Sequence, residues 1–513
     1  MARIHRAAAV LATLALLTGC SAAVGPAPTP TDVKTMLTAD PTTFDPARGL
    51  AIDDYLIARY LFDSLLRHDD GGITGALAES YEADSASEYR FVIRDDATCA
   101  DGTPITASIV ADSLEYFAAP DTGSTFRVLV FGVGEPTITA DDASRTVSIS
   151  LSEPWSDLPA GLTLAQTGII CPAGLAAPEE LAAGTVEAAF SGPYTLADAN
   201  PGVGYRVELR EGYTAWPDYA VPVEGTVPAA VGFALASDPA TVANQLRSGD
   251  LDIGILADDN LDRFASDDAF ELLLTDGVGT WLVFNEREGS VFHDAPELRA
   301  AVASAIDRAA LNTVVSSGRA ELFDSIVSPQ IECALDGGDL LHPFDPEAAR
   351  ALEGVRIRLI GSNTIGPAGS GNEYVQSALR EAGADVELRN TDPGTWVNNL
   401  VDLGWDLTMY GDANQTGTVS ASLSRLLWTP AESGGRSVGA ADNPEGTELM
   451  WQALATSDPA ERCDYLERAQ RTALERTDVI PLFSGSPTVV VRDGFAAGTY
   501  AGYYDPTSIR ILP

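Results

Sequence analysis

The sequence predicts an α/β fold divided into more than one domain, and three observations lead to this class. The chain has 513 residues, which is ample for several hydrophobic cores. Hydrophobic residues make up 45% and charged residues 20%, a balance typical of globular proteins. Strand and helix patterns also alternate: residues 355–360 are apolar and β-like, 373–382 are helical, and 384–388 alternate, as in a βαβ unit of a parallel sheet.

The N-terminus predicts an exported lipoprotein. A basic region at residues 3–6 precedes an apolar stretch, 7–17, which is too short to span a membrane but suits a signal peptide. The stretch ends in Leu17-Thr-Gly-Cys20, which resembles the bacterial lipobox, so Cys20 is the expected lipidation site on the outer face of the cell membrane. The alternative is an ordinary signal peptide with a chance cysteine. Residues 21–34 are expected to form a flexible tether.

The first elements after the tether are read from alternation and turn signals. Residues 86–94 alternate like a strand, and a turn-rich loop follows at 95–104. A helix is expected next, with Thr106 or Ser108 as its cap. Residues 146–151 alternate strictly with period two, as a half-buried strand does.

The middle of the chain contains the clearest helix signals. In the stretch 237–249, Pro239 suits the first helical turn and Gly249 suits the position after the helix, and a short strand is expected at 251–255. Residues 296–315 are expected to form the longest single helix. One face of that helix would carry Leu298, Val302, Ile306 and Ala309.

The formal net charge of −43 excludes some classes of partner. Binding to nucleic acid needs Lys and Arg side chains that replace counterions on phosphates, so no nucleic acid partner is expected. The same excess of acid disfavours direct docking on an anionic lipid surface. It leaves two interpretations open, a preference for cationic ligands and a surface adapted to solubility.

Four cysteines remain after Cys20 is assigned to the anchor: Cys99, Cys171, Cys333 and Cys463. An even number in an exported chain predicts disulfides, and four cysteines allow three pairings.

Known catalytic and metal-binding motifs fail at identifiable positions. Residues 435–439 match the G-x-S-x-G nucleophile pattern, yet no histidine follows His342, although the hydrolase triad order requires one downstream. Residues 258–262 begin like a calcium loop, but Arg263 stands where glycine is required and Ala269 where a bidentate glutamate is required. No phosphate-binding or dinucleotide-binding fingerprint is present. No enzymatic activity, metal or cofactor is therefore expected.

Several stretches of the chain, taken in order, resemble the family 5 extracytoplasmic solute-binding proteins, which serve ABC importers of dipeptides and oligopeptides. The stretches that carry the resemblance are 77–81, 89–94, 101–110, 191–194, 245–253, 281–285, 298–308, 396 and 405–412. They extend over most of the chain after the tether, and their joint order is more specific than any single one.

The resemblance implies a periplasmic-binding-protein type II-like fold, with two lobes joined by a hinge and an extra inserted domain. Domain I would be discontinuous and would comprise 35–52, 186–285 and 485–513. Domain II would be the insert 53–185, and domain III would be the second lobe, 286–484. In such proteins the lobes close around a ligand by hinge motion.

The resemblance also implies a ligand site. Peptide-binding members hold the ligand's α-amino group on an aspartate of domain III, and Asp412 stands at the matching place, although a turn residue is the alternative. Trp396, Trp405 and Tyr410 are expected to line the cleft or to belong to the core, and Asn285 is expected at the site. Some members bind a ligand carboxylate with an arginine shortly before the aspartate, and this chain has none there.

The function implied is that of a monomeric receptor which binds a small ligand, first of all a peptide, and delivers it to an ABC permease. The lipid anchor would be its only contact with the membrane. The alternative is a ligand sensor or a cell-wall-fragment-binding lipoprotein without a transport role. Opine-like compounds, glycan fragments and metal chelates stay open as ligands, because a fold does not determine a ligand.

The implied lobes constrain the disulfides. A lobe that moves cannot be bridged across the cleft, so each disulfide should lie within one domain. The expected pairs are Cys99–Cys171 in domain II and Cys333–Cys463 in domain III.

Overall fold

The computed structural model describes residues 30–275, 278–433, 435–485 and 487–513, and strands in these ranges assemble into six β-sheets. The strands are β1 (Asp32–Leu37), β2 (Leu66–Asp69), β3 (Gly72–Gly75), β4 (Ala78–Ser85), β5 (Glu88–Ile93), β6 (Pro136–Asp141), β7 (Thr146–Leu151), β8 (Tyr194–Asn200), β9 (Gly204–Leu209), β10 (Ala230–Leu235), β11 (Ile253–Leu256), β12 (Phe270–Leu274), β13 (Val278–Phe284), β14 (Arg356–Ser362), β15 (Asp385–Thr391), β16 (Leu407–Ala413), β17 (Val479–Ser484), β18 (Thr488–Arg492), β19 (Phe495–Tyr500) and β20 (Tyr503–Ile511).

The α-helices pack on these sheets or connect them. They are α1 (Ile52–Leu61), α2 (Ala107–Ala118), α3 (Arg127–Phe131), α4 (Leu158–Gly161), α5 (Pro172–Leu175), α6 (Pro178–Ala182), α7 (Pro239–Ser248), α8 (Pro296–Ala305), α9 (Arg308–Ser316), α10 (Ser370–Glu381), α11 (Pro393–Val401), α12 (Val419–Leu427), α13 (Pro444–Ala455) and α14 (Pro459–Glu475). The mixture confirms the α/β class. Among the described residues, no helix is both long enough and apolar enough to span a membrane.

The three larger sheets draw on different parts of the chain. One has the order β1-β10-β9-β8, a second has the order β4-β5-β7-β6, and a five-stranded sheet has the order β15-β14-β16-β13-β17. A three-stranded sheet, β11-β18-β12, joins early strands to a late one. Strand β13 pairs with β16 and β17, so it belongs to the five-stranded sheet although the predicted limit between domains I and III lies at residue 285. The domain limits stay a prediction.

The predicted βαβ unit is present in the five-stranded sheet. Strands β14 and β15 pair in parallel over 356–362 and 385–391, and α10 connects them. Other local predictions are also confirmed. Thr106 caps α2 by accepting from the Ile109 amide, and Gly249 ends α7 with a φ of 78°, a conformation that suits glycine.

The predicted single helix 296–315 is wrong, because the structure has two helices there. Ile306 has extended backbone angles, so α8 ends at Ala305. Asp307 then caps α9 by accepting hydrogen bonds from the amides of Ala309 and Ala310. An aspartate in this position satisfies two amides at a helix start, and here it begins a new helix directly after the residue that ends α8.

The predicted tether is too long by three residues. Strand β1 begins at Asp32 and pairs in parallel with β10 from Asp32 to Leu37, so 32–34 belong to a sheet. The main-chain groups of these residues are used in the ladder, which outweighs the loop-like composition before them. The predicted signal peptide, the predicted lipobox with Cys20 and most of the predicted tether lie outside the described residues.

Both expected disulfides are present. Cys99 pairs with Cys171 at a Cα separation of 6.1 Å, and Cys333 pairs with Cys463 at 4.9 Å. These separations suit disulfide geometry. The pairs close stretches of 72 and 130 residues, and neither joins the 99–171 stretch to the 333–463 stretch.

The central strand β13 of the five-stranded sheet is buried on both faces, as a strand with few polar residues requires. On one face, Leu282 and Phe284 of β13 pack in a cluster with residues of α8, α9 and α10. On the other, Trp281 and Val283 pack in a cluster that includes residues of α12, α13 and α14. Successive residues of a strand point to opposite faces, which explains the alternation.

Candidate ligand-binding cleft

Two crossing segments connect the three-stranded sheet to the five-stranded sheet. One leads from β12 to β13, and the other leads from β17 to β18. Two hydrogen bonds show that the segments run side by side. The Thr275 hydroxyl donates to the Pro487 carbonyl at 2.6 Å, and the Gly485 amide donates to the Val278 carbonyl at 2.8 Å. Paired segments of this kind are where a hinge between two lobes is expected.

A cavity of about 710 Å³ lies beside the crossing segments, and its wall comes from both sides of them. Leu261, Leu272 and Leu274 belong to the part of the chain around the three-stranded sheet. Thr280, Val315, Thr364, Ile365, Gly411 and Phe483 belong to the five-stranded sheet and its connections. The wall is mainly apolar and carries a few hydroxyl and charged groups, as small-molecule sites usually do.

An ionic contact crosses between the two sides of this cavity. The Arg319 guanidinium lies 2.7 Å from an Asp259 oxygen and 3.1 Å from an Asp262 oxygen, and the Ser317 hydroxyl donates to Asp259 at 2.6 Å. The hydrogen bond from Ser317 and the nearby Arg319 lower the pKa of Asp259. Arg319 and Asp262 both line the cavity, so the wall contains a charge pair that separates if the two sides move apart.

Asp412, the predicted partner of a ligand ammonium, already has internal partners. The Ser422 hydroxyl donates to it at 2.6 Å, and Arg425 Nε lies 3.7 Å from its other oxygen. Burial raises the pKa of Asp412, and Arg425 and Ser422 act in the opposite direction. It does not line the 710 Å³ cavity, whereas its neighbour Gly411 does. Strand alternation turns the two residues to opposite faces of the sheet.

The predicted aromatic residues divide into two groups. Tyr410 and Trp396 lie together with ring centroids 5.6 Å apart, and Tyr410 stacks on Trp281 at 6.1 Å. Both Tyr410 and Trp396 are partly exposed on the Asp412 side of the sheet, so they can contact a ligand there. Trp405 is fully buried, and its indole nitrogen donates to the Leu400 carbonyl at 3.2 Å. Its contacts are those of a core residue.

Asn285 is buried, and its side chain forms hydrogen bonds within the protein. Its amide nitrogen donates to the Trp405 carbonyl at 2.9 Å, and its side-chain oxygen accepts from Arg287 Nη1 at 3.1 Å. It therefore ties the end of β13 to the segment before β16. None of the five predicted ligand residues lines the 710 Å³ cavity.

A group of polar residues that sequence reasoning did not identify joins four distant segments. We name it the Gln415 seam and define it as His68, Thr163, Gln166, Gln415 and Tyr503. Gln166 Nε2 donates to Gln415 Oε1 at 3.2 Å. His68 Nε2 lies 3.2 Å from the Gln415 carbonyl oxygen and 3.0 Å from the Thr163 hydroxyl, and the His68 ring stacks on Tyr503 with centroids 4.3 Å apart.

The electrostatics of the seam favour a neutral imidazole. Burial, together with the charges of Arg59 and Arg67, lowers the pKa of His68 to about 4, with the Gln415 carbonyl acting in the opposite direction. In the sequence, the only local signal near Gln415 is the change from the mainly apolar residues 407–410 to the mainly polar residues 412–415. The contacts of Gln415 come from residues more than 240 positions away, which local patterns do not report.

A second contact between the same distant parts is largely apolar. Trp155 lies against Trp428 and Trp451, with ring centroids 5.8 and 6.4 Å apart. Next to it, the buried carboxylate of Asp157 forms an ion pair with Arg462 and accepts from the hydroxyls of Thr418 and Ser420. We name Trp155, Asp157, Trp428, Trp451 and Arg462 the tryptophan contact.

The rejected motifs have structural explanations in the described residues. The Ser437 hydroxyl donates to the Leu426 carbonyl at 2.8 Å, so it is a buried structural group. Among the described residues, Glu332, Cys333 and Cys463 lie close enough together to be considered as metal ligands. The two cysteines are joined in a disulfide, so they do not offer free thiols.

Comparison with known proteins identifies the family. The model of the bacterial extracellular solute-binding proteins, family 5, matches residues 72–433, more than half of the chain. The chain belongs to this family. Among solved structures, a substrate-binding protein from Microbacterium hydrocarbonoxydans in complex with 4-hydroxybenzoate hydrazide is 39% identical, with a TM-score of 0.82, and the match covers 94% of this chain and 100% of that one.

Other similar proteins are more distant. The glutathione-binding protein of Escherichia coli (strain K12) is 24% identical over 505 residues, which is 94% of both chains. A dipeptide-binding protein from Pseudoalteromonas, solved with Met-Leu, is 18% identical with a TM-score of 0.77 and shares the fold over 94% of this chain and 100% of its own. The family 5 membership and the fold predicted from the sequence are thus confirmed.

Proposed function

We propose that this family 5 protein captures a small ligand, first of all a peptide, between two lobes and delivers it to an ABC permease. The observation that supports this most is the cavity of about 710 Å³, whose wall comes from both sides of the paired crossing segments. A cavity of this size suits a ligand of a few hundred daltons. Closure of the lobes would remove such a ligand from water.

The ligand chemistry follows from the relatives and from the wall of the cavity. The 39% identical protein was solved with a hydrazide, and the Escherichia coli relative binds glutathione, so both ligands contain a carbonyl group bonded to nitrogen. Thr280 and Thr364 supply hydroxyl groups that can donate to a carbonyl oxygen or accept from N–H. The ligand class proposed here is therefore a small acyl amide or hydrazide, with peptides as the main members.

Delivery requires a position outside the cell membrane. The proposed lipidation of Cys20 and the tether after it would keep the protein close to its permease as a monomer. The predicted contacts of Asp412, Tyr410 and Trp396 with a ligand are a separate proposal, for a ligand position on the opposite face of the sheet from the cavity. Trp405 and Asn285 are proposed to belong to the scaffold because of their internal hydrogen bonds.

Gly411 offers a direct test of the cavity. A Cβ added at this position would meet no atom within 4 Å, so a large side chain enters the cavity without a clash at its base. We expect Gly411→Trp to fold normally and to lose ligand. Gly232→Trp is the matched control, because a Cβ at Gly232 also meets no atom within 4 Å and this residue lies in β10, away from the cavity.

The measurement is native mass spectrometry after incubation with 4-hydroxybenzoate hydrazide, glutathione and a mixture of dipeptides. The proposal predicts one bound small molecule per chain for the wild type and for Gly232→Trp, and none for Gly411→Trp. A wild-type protein that retains none of these compounds, or a Gly411→Trp variant that binds like the wild type, would contradict it.

A further inference from the structure

On the sheet side of the cavity beside the crossing segments lies a buried threonine whose hydroxyl is unused. Thr280 of β13 stands directly opposite Gly411 of β16 in the antiparallel pairing, and both residues line the cavity. Only 5% of Thr280 is exposed, and its hydroxyl forms no hydrogen bond with any residue that the structure describes. Because a Cβ at Gly411 would meet no atom within 4 Å, the cavity stays open next to Thr280. A ligand that offers a hydrogen-bonding atom would satisfy this hydroxyl.

The charged side chains on the wall of the cavity are mainly acidic. Asp258, Asp262 and Glu321 line it, and Arg319 is the only cationic side chain among the described lining residues. The Arg319 guanidinium lies 2.7 Å from an Asp259 oxygen and 3.1 Å from an Asp262 oxygen. Its charge is therefore already opposed by two carboxylates of the protein.

The other two lining carboxylates have no cationic partner within the described residues. Asp258 accepts hydrogen bonds from the Asn260 amide and side chain at 3.1 and 2.8 Å, and these donors are neutral. Glu321 is exposed and forms no ion pair with a described residue. Charges interact more strongly beside an apolar wall than in bulk water, so both carboxylates oppose the entry of an anion. They do not oppose an uncharged or a cationic group.

We propose that this cavity admits acyl compounds that lack a free carboxylate and excludes the corresponding acids. The Thr280 hydroxyl donates to the acyl oxygen or accepts from the neighbouring N–H, while Asp258 and Glu321 repel an anion. The inference rests on the proposed function, because it requires the ligand to occupy this cavity. It narrows the ligand class proposed above, since glutathione and free peptides have carboxylates that must stay outside the cavity.

The test compares three compounds that share a ring and differ in charge. At neutral pH, 4-hydroxybenzoate hydrazide is uncharged, 4-hydroxybenzoate is an anion and 4-hydroxybenzamidine is a cation. Isothermal titration calorimetry measures the affinity of each compound for the wild type, for Thr280→Val and for the double variant Asp258→Asn with Glu321→Gln. Asp262 is left unchanged, because it pairs with Arg319.

Glu271→Gln is the matched control for the loss of charge. Glu271 is exposed on β12, next to the lining residue Leu272, and strand alternation turns it to the opposite face. Thermal melting of each unliganded protein checks its folding. Asparagine at position 258 keeps a side-chain oxygen for the Asn260 amide, so the local turn is retained.

We expect the wild type to bind the hydrazide at least about tenfold more tightly than the acid, because like charges repel strongly in a desolvated site. The amidine should bind at least as tightly as the hydrazide. In the double variant, the affinity of the acid should come within about threefold of that of the hydrazide. Thr280→Val should weaken the hydrazide by about two- to tenfold, the scale of one neutral hydrogen bond, and keep the order of the three compounds. Glu271→Gln should match the wild type.

The comparison of compounds on the wild type decides the exclusion without any variant. An acid that binds the wild type as tightly as the hydrazide would overturn the proposal, and so would a preference for the hydrazide that is unchanged in the double variant. An unchanged hydrazide affinity in Thr280→Val would overturn the role of Thr280. Each of these results leaves the proposed function standing, because a ligand is still bound. Failure of the three compounds and of a dipeptide mixture to bind would reject both.

Discussion

Buried charged side chains in this protein differ in how closely a side chain of opposite charge lies beside them. Arg67 has two carboxylates within 4 Å, and Asp157 has Arg462 together with two hydroxyl donors. Asp412 is an intermediate case, since it accepts from Ser422 and faces Arg425 at 3.7 Å. Removing one member of a buried pair leaves the other without compensation, which costs more than the pair itself contributes.

Asp412→Asn tests the contribution of one buried charge to stability. Because Arg425 is left without its counter-charge, we expect the free energy of unfolding to fall by about 1–3 kcal/mol, a range reduced from that of fully buried pairs since about a third of the Arg425 side chain is exposed. Chemical denaturation measures this loss. An unchanged unfolding free energy would show that Arg425 does not depend on Asp412.

The same variant tests the predicted ligand role separately. If Asp412 also binds a ligand ammonium, calorimetry with a dipeptide should show an affinity loss of about 1.5–3 kcal/mol in addition to the loss of stability. A dipeptide affinity within twofold of the wild type would assign Asp412 to the scaffold alone.

Individual elements were predictable where a local signal and the tertiary structure agree. The α7 helix has an aspartate cap, a proline in its first turn and a glycine after its end, and β7 alternates strictly, so both were predicted close to their observed bounds. The α8–α9 break was missed because an apolar stripe continues through Ile306, and only the cap formed by Asp307 separates the helices. Strand β1 was missed at its start because its pairing partner is about 200 residues away.

The site was less predictable than the fold. The sequence left Trp396, Trp405 and Tyr410 open between the cleft and the core, and it did not predict the contact between Trp396 and Tyr410. Trp405 is buried, which agrees with the second of these alternatives. His68, Gln166 and Gln415 stand in unremarkable local sequence, and they gain a role only because three distant segments meet. Hydrogen bonds between such segments leave no periodic signal in the chain, so a sequence pattern cannot report them.

The tryptophan contact leads to a prediction about α14 and the segment before α4. Asp157→Asn removes the carboxylate that forms an ion pair with Arg462 and accepts hydrogen bonds from Thr418 and Ser420. Closure of the lobes should therefore become less favourable. We expect ligand affinity to fall by about tenfold or more, the scale of a lost charge-assisted hydrogen bond. Calorimetry measures the affinity, and intrinsic fluorescence of Trp155, Trp428 and Trp451 follows the contact itself.

Asp464→Asn is the control for this prediction. Asp464 is in the same helix and pairs with Arg468 at 3.2 Å, but both side chains are more than half exposed, so the pair contributes little. Equal ligand affinities in the two variants would show that the tryptophan contact does not help to close the lobes.

At the scale of the whole molecule, the account depends on relative motion about two short connections. The crossing segments are tied together by Thr275 and Pro487, while the Arg319 contact, the Gln415 seam and the tryptophan contact join parts on opposite sides of them. We propose that lobes joined in this way open and close by hinge motion, and that a ligand which contacts both lobes shifts the population towards the closed form.

The most direct test of this central claim is a distance measurement between the lobes. Val203 and Val401 are 76% and 73% exposed, and they stand next to the four-stranded β1-β10-β9-β8 sheet and at the end of α11. Nitroxide labels on Val203→Cys and Val401→Cys report their separation by double electron–electron resonance, with and without a compound shown by mass spectrometry to bind. The account predicts a broad or two-peaked distance distribution that collapses to one narrow peak at saturation. A distribution that stays the same while the compound saturates its site would contradict capture by lobe closure.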